Sequence, residues 1–291
     1  MDGNELWKAL SQNPNAIDLL ENNQDKIDWS ALSTNTNAIY LLSKNLDKIH
    51  WRNLCANLHA IHILESNLDK IDWHILSANK NAIKILERNL DNIFWPVLSS
   101  NKNALSILEK NQDKIDWYEL SGNSSAISLL EQNIDKISWY KLSTNKNAIS
   151  LLEKYPQYIN WCGLSLNKNA IHILEKNMNK VHWSSLSKNS KAISILRENI
   201  DYINWIDLRC NKNSYSLWQL CNSYYLKKRS IFSHDNIVLY YMQTAEILSK
   251  EINYLYIDKR MNIIKEQLIA AAMHPRRLQR FLDLGGNIDD F

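Results

Sequence analysis

The sequence predicts an all-α fold, a solenoid of short helix pairs, and three observations carry that prediction. Ten tryptophans, Trp7, Trp29, Trp51, Trp73, Trp95, Trp117, Trp139, Trp161, Trp183 and Trp205, recur every 22 residues without insertion or deletion. Leu follows each of them by three residues and Asn by six, from Leu10 and Asn13 to Leu208 and Asn211. Between these columns the apolar residues fall at helical spacing, and a fixed period of this length marks stacked repeats. In consensus the repeat reads WxxLSxNxNAIxLLExNxDKID; residues 1–213 hold about ten copies, and residues 214–291 leave the register.

Taken in order, the first element of a repeat is a helix of about one and a half turns. In the second repeat Asp28 supplies the N-cap, and Trp29, Leu32 and Ser33 share a face. Asn35 is expected to stop it in the left-handed conformation, which Asn tolerates and which a chain with only five Gly needs from another residue. A second helix then starts near Asn37 and runs through Ala38, Ile39, Leu41, Leu42 and Ser43 to Asn45, with one apolar stripe. The link from Leu46 to His50 is short enough for a tight turn with Ile49 inside. Helices this short are marginal alone. Stacking must stabilise them, with Trp, Leu, Ala, Ile, the aliphatic pair and the last Ile as the shared core. The fold class is therefore an α-solenoid of 22-residue two-helix repeats, α/α or α/3₁₀.

Past Asn213, residues 214–226 begin like another second helix, and the register ends at Lys227, Lys228 and Arg229. Apolar spacing predicts longer helices over residues 236–251 and 259–272, and a third over 276–284 that carries Arg276, Arg277 and Arg280. A solenoid needs its last repeat covered, so residues 214–291 are read as a helical C-terminal cap.

Composition narrows the function classes. The mass is 34.1 kDa, 45% of residues are hydrophobic, and the net charge is +3, which gives no strong pull toward nucleic acid. No apolar run approaches the length of a membrane span, and the first repeat starts by Asn4, so neither a secreted nor a membrane-spanning protein is expected. Cys55, Cys162, Cys210 and Cys221 lack metal-ligand spacing and are read as reduced thiols. No catalytic triad, Gly-rich phosphate loop or carboxylate pair stands out: His50, His62 and His74 fall in three different columns. Neither a catalytic, a cofactor-binding nor a metal site is assigned.

Two surface features remain as candidates. Seven residues after Trp lie Lys80, Lys102, Lys146, Lys168 and Lys212, a candidate basic stripe, and a second column holds Lys44, Arg88, Lys110, Lys154 and Lys176 beside a Glu column. Repeats stacked at roughly 8 to 10 Å match the phosphate spacing of duplex DNA poorly, so an acidic protein fits such a stripe at least as well. The residue after Trp changes character from repeat to repeat, and it is Tyr118 and Tyr140 in two neighbouring copies. Close by, Tyr155-Pro156-Gln157-Tyr158 replaces the usual Asn-x-Asp-Lys turn. Tyr118, Tyr140, Tyr155, Pro156 and Tyr158 form the preferred interaction patch, because Tyr is enriched at interfaces; the alternative is a local change of packing. The Trp column is read as core in preference to base-stacking platforms, and the Asn columns as ladders for loop backbone.

The segments WYKLSTNKNAISLLEKY and LDKIDWHILSANKNAIKILERN, with the ending AAAMHPRRLQRFLDLGGNIDD, resemble the tandem-repeat proteins of giant DNA viruses of the mimivirus and related groups. That resemblance implies a viral protein acting in the host cytoplasm or in the particle, and it brings no catalytic residues. The expected function is a non-enzymatic scaffold or adaptor for a protein partner. Alternatives are a structural component of the virus particle and a repeat-type nucleic-acid binder. Against the last, the variable columns mix Pro, Ile and Cys with polar groups, where one-base-per-repeat recognition needs two or three suitable side chains per repeat.

Overall fold

The computed structural model describes residues 3–214, 216 and 217. The helices expected between residues 236 and 284, and most of the expected cap, lie outside the described residues. Among the described residues there are nineteen α-helices, nine 3₁₀ helices and no strand, in regular succession. The chain is an α-solenoid. It divides into two compact units, one running to Leu120 and the other beginning at Ser121.

A repeat contains three elements, one more than its sequence predicted. The second repeat has helices at Trp29–Leu32 and Ile39–Ser43, then a 3₁₀ helix at Leu46–Lys48. Its neighbour repeats the order at Trp51–Ala56, Ile61–Glu65 and Leu68–Lys70. The expected cap is present: Asp28 has extended backbone, and its carboxylate accepts from the Ala31 N–H at 2.8 Å. Asp72, Asp116, Asn160 and Asn204 cap later helices in the same way. His50 and His182 do so with Nδ1. These histidines and carboxylates satisfy the orphan N–H groups of helix starts.

Two expectations are corrected. The Asn that ends the first helix is not left-handed; Asn57, Asn79 and Asn167 are extended, with φ between −72° and −75°. The last turn closes instead by a bond from the Asn57 N–H to the Leu54 carbonyl at 2.9 Å, which leaves the side chain free to reach the preceding repeat. The second helix starts at Ile39, after Ala38, two residues later than expected. Asn37 belongs to the turn because its own N–H is taken by the Asn35 side chain at 3.0 Å.

The core is narrower than the apolar columns suggest. Leu32, Ala38, Leu41, Leu42 and Ile49 are buried, as are their counterparts Leu54, Ala60, Ile63, Leu64 and Ile71. Each of these Leu and Ile side chains contributes about 1.5–3 kcal/mol when fully buried. Trp29, Trp51, Trp73 and the later tryptophans of the column are only half-buried, and so is Ile39. The tryptophans form a seam between the core and the surface. First helices of consecutive repeats pack on one another, as Trp51–Ala56 does on Trp73–Ala78 and Trp161–Leu166 on Trp183–Lys188.

Candidate interaction surface

What a repeat leaves for a partner is set by what its frame consumes. Ser33, four residues after Trp29, donates its hydroxyl to the Trp29 carbonyl at 2.7 Å and accepts the His50 N–H at 3.0 Å. Ser143 and Ser165 do the same for Asn160 and His182. The serine thus ties the body of one repeat to the start of the next. Asn57 donates through Nδ2 to the carbonyls of Ser33 and Asn35, each at 3.1 Å, while its Oδ1 accepts the His59 N–H at 3.0 Å. Asn167 repeats this with Ser143, Asn145 and Asn169. Both N–H groups and the oxygen of this buried amide are engaged, as a buried polar group requires. A second amide column, two residues on, reaches the preceding loop: Asn103 donates to Lys80 O at 3.1 Å and Asn169 to Lys146 O at 2.9 Å. These ladders are the expected role of the Asn columns. The serine tie was not anticipated, although the recurrence of Ser beside the Leu column, in eight of the ten repeats, signalled it.

The outer face of the Trp seam is also occupied. Lys48 lies 4.9 Å from the ring centroid of Trp29, Lys114 5.3 Å from that of Trp95 and Lys180 5.0 Å from that of Trp161, each on the 3₁₀ turn of the same repeat. Where that column holds Tyr the ring stacks instead. Tyr158 lies 4.7 Å from Trp139 at 21°, and Tyr202 lies 4.8 Å from Trp183 at 17°.

This places the candidate patch. In the second compact unit Tyr155 and Tyr158 converge on Trp139, Tyr155 tilted at 5.9 Å. Tyr155 therefore replaces an Asn that elsewhere bonds backward along its helix, as Asn45 does to the Leu41 carbonyl. Pro156 opens the 3₁₀ turn, which keeps its usual geometry, and is itself exposed. Tyr140 stands outside the stack, on the helix Trp139–Thr144, and is 44% exposed; Tyr158 keeps 50% of its surface. The turn segment is thus both a packing substitution and an exposed aromatic surface. Beside it, Gly163 is required: a Cβ there would sit 2.8 Å from the Tyr140 carbonyl oxygen. Tyr118 belongs to the first compact unit and is 50% exposed.

The stripe residues Lys80 and Lys102 of the first compact unit, and Lys146, Lys168 and Lys212 of the second, are all exposed on the loops between first and second helices. A different charge pair lies near the end of the described residues, in the second compact unit. Lys188 Nζ is 2.9 Å from Asp207 Oδ1, and the Ser184 hydroxyl donates to the other oxygen. Ser184 and then Lys188 hold the Asp207 carboxyl below the usual carboxylate range. Nearby, the Ser185 hydroxyl lies 3.2 Å from Cys162 Sγ and 3.0 Å from His182 Nδ1. That nitrogen also accepts the Ser185 N–H as a helix cap, so the atom a general base would use is already engaged. Among the described residues no group of three or more His, Cys, Asp or Glu is placed to hold a metal, and no helix is long and apolar enough to cross a membrane. The repeat helical fold is compatible with a scaffold or interaction role. Compared with family models, curated proteins and solved structures, the chain matches none of them.

Proposed function

We propose that the protein is a non-enzymatic scaffold that engages a protein partner, and that it is one of the tandem-repeat proteins of giant DNA viruses that its repeat resembles. One observation carries the scaffold reading: the frame spends its polar groups on its own backbone, while the columns it leaves unconstrained expose aromatic side chains. Tyr140, Pro156 and Tyr158 offer rigid, half-exposed surface at low entropic cost, the kind that anchors protein contacts. The resemblance of the repeat supports the viral reading and a place in the host cytoplasm or the particle.

The test substitutes residues that other repeats already carry. Tyr140→Ser follows Ser30 and Ser184, and Tyr158→Lys restores the cation found over the other tryptophans. Both substitutions leave the frame intact, so helix content should not change. Affinity capture from the cells in which the protein is made should recover one partner with the intact chain, and about tenfold less with the double variant. Co-purification with virus particles, unaffected by the variant, would transfer the role to a structural component of the particle.

A further inference from the structure

Charge is segregated within the repeat. Across the ten copies, the stretch from three to ten residues after Trp holds no Asp or Glu, whereas carboxylates gather near the end of the second helix, in the 3₁₀ turn and around the next cap. That acid-free stretch includes the loop between the two helices. In four consecutive repeats of the second compact unit this loop carries Lys146, Lys168, Lys191 and Lys212, all exposed. Among the described residues none of the four has a carboxylate partner.

The loops are held in register by the amide ladders. Asn167 donates to Ser143 O and Asn145 O, Asn189 to Ser165 O and Asn167 O, and Asn211 to Ser187 O and Asn189 O, all between 2.9 and 3.1 Å. Each lysine therefore springs from a backbone fixed to its neighbours, one cation per repeat, at a step of about 8–10 Å.

We infer that this loop edge binds an extended acidic polypeptide with a carboxylate at every third residue. In polyproline II conformation a chain has three residues per turn and rises about 3.1 Å per residue, so every third side chain shares a face at about 9 Å intervals. That period matches one lysine per repeat. Nucleic acid fits less well, because single-strand binders combine a basic groove with aromatic platforms. Here the loops of these four repeats bear no aromatic ring, their described tyrosines lying on the first helix and in or beside the 3₁₀ turn. The inference rests on the scaffold reading and names the chemistry of one partner segment.

The full chain is titrated, at low and at physiological salt, into three labelled probes. These are a synthetic peptide with Glu at every third residue and Pro and Ala between, a peptide of the same composition with its Glu in one block, and an oligothymidine. The periodic peptide should bind tightest and weaken with salt. A variant carrying Lys146→Ser, Lys168→Ser, Lys191→Asn and Lys212→Ser uses residues found in the same columns of other repeats and should bind it about tenfold more weakly or worse, with unchanged circular dichroism. The Tyr140→Ser, Tyr158→Lys variant should bind it as the intact chain does. Equal binding of the two peptides, tighter binding of the oligothymidine, or no loss in the lysine variant overturns the assignment. Such a failure leaves the scaffold reading standing if the aromatic variant still loses its captured partner; loss of the captured partner in neither variant overturns that reading.

Discussion

Asn167 shows what one side chain contributes to this protein. It donates to the carbonyls of Ser143 and Asn145 and accepts the Asn169 N–H, with almost no exposure. Asn167→Ala leaves the Ser143 carbonyl and the Asn169 N–H without partners in a site too closed for full hydration, while the Asn145 carbonyl keeps its bond from the Ala148 N–H, and each orphaned group costs about 1–3 kcal/mol. We expect a loss of at least about 2 kcal/mol in chemical denaturation. Cys55 is the reverse case, a departure from the frame. It stands in the buried serine column, where burial raises the thiol pKa and a hydrogen bond from the Asp72 backbone lowers it. The raised pKa means that the unfolded chain loses this proton first as pH rises. The stability it supplies is complete below the ordinary cysteine value and disappears as pH climbs through the raised folded value. Denaturation between neutral and alkaline pH should show this decline, and Cys55→Ser should remove it. Exposed Cys210 should be alkylated well before buried Cys55.

The helix cap is the element-scale feature most open to repair. The helix Trp95–Ser100 is preceded by Phe94, which offers no side-chain cap and instead lies 4.6 Å from the His74 ring. Phe94→Asp installs the residue that other repeats use, and should stabilise by about 1 kcal/mol less whatever the ring contact contributes; a fall in melting temperature would show that the ring contact outweighs the cap. Elements differ in how much of them the sequence discloses. The Asp28 cap and the helix Trp29–Leu32 are legible because capping chemistry is local and the apolar stripe repeats at helical spacing. The 3₁₀ turn Leu46–Lys48 is not, since three residues carry no period. The half-burial of Trp29 is hidden for a related reason: invariance marks a residue as part of the frame without saying which of its faces is covered. Tyr155 and Tyr158 stood out as departures from their columns, but their contact with Trp139 crosses 16 and 19 residues and leaves no local pattern.

At the scale of the whole molecule, stability in a solenoid is a sum of repeats and the interfaces between neighbours. Bonds between repeats here span 17, 19, 22, 23 or 24 residues, as in His50 to Ser33, Ser106 to Glu87, Asn57 to Asn35, Asn169 to Lys146 and Asn57 to Ser33. Deleting residues 161–182, one full period, preserves every column and should leave a cooperatively melting helical protein. Removing half a period, residues 161–171, sets Glu175 in the Leu column and Met178 in the Asn column and should abolish cooperative melting; circular dichroism reads both. The acid-free loop edge belongs to this scale as well, because no single lysine makes it.

The ladder bonds between repeats run one way, the later chain donating to the earlier. The Ser33 and Asn35 carbonyls are met by Asn57, and the Ser33 hydroxyl by the His50 N–H, all from chain that comes later. A repeat leaving the ribosome thus has its serine carbonyl open, and its asparagine carbonyl holding only the bond from within its own turn, until its successor emerges and completes them. Folding can advance with synthesis, one repeat in arrears, and a pause in translation leaves a single unfinished edge.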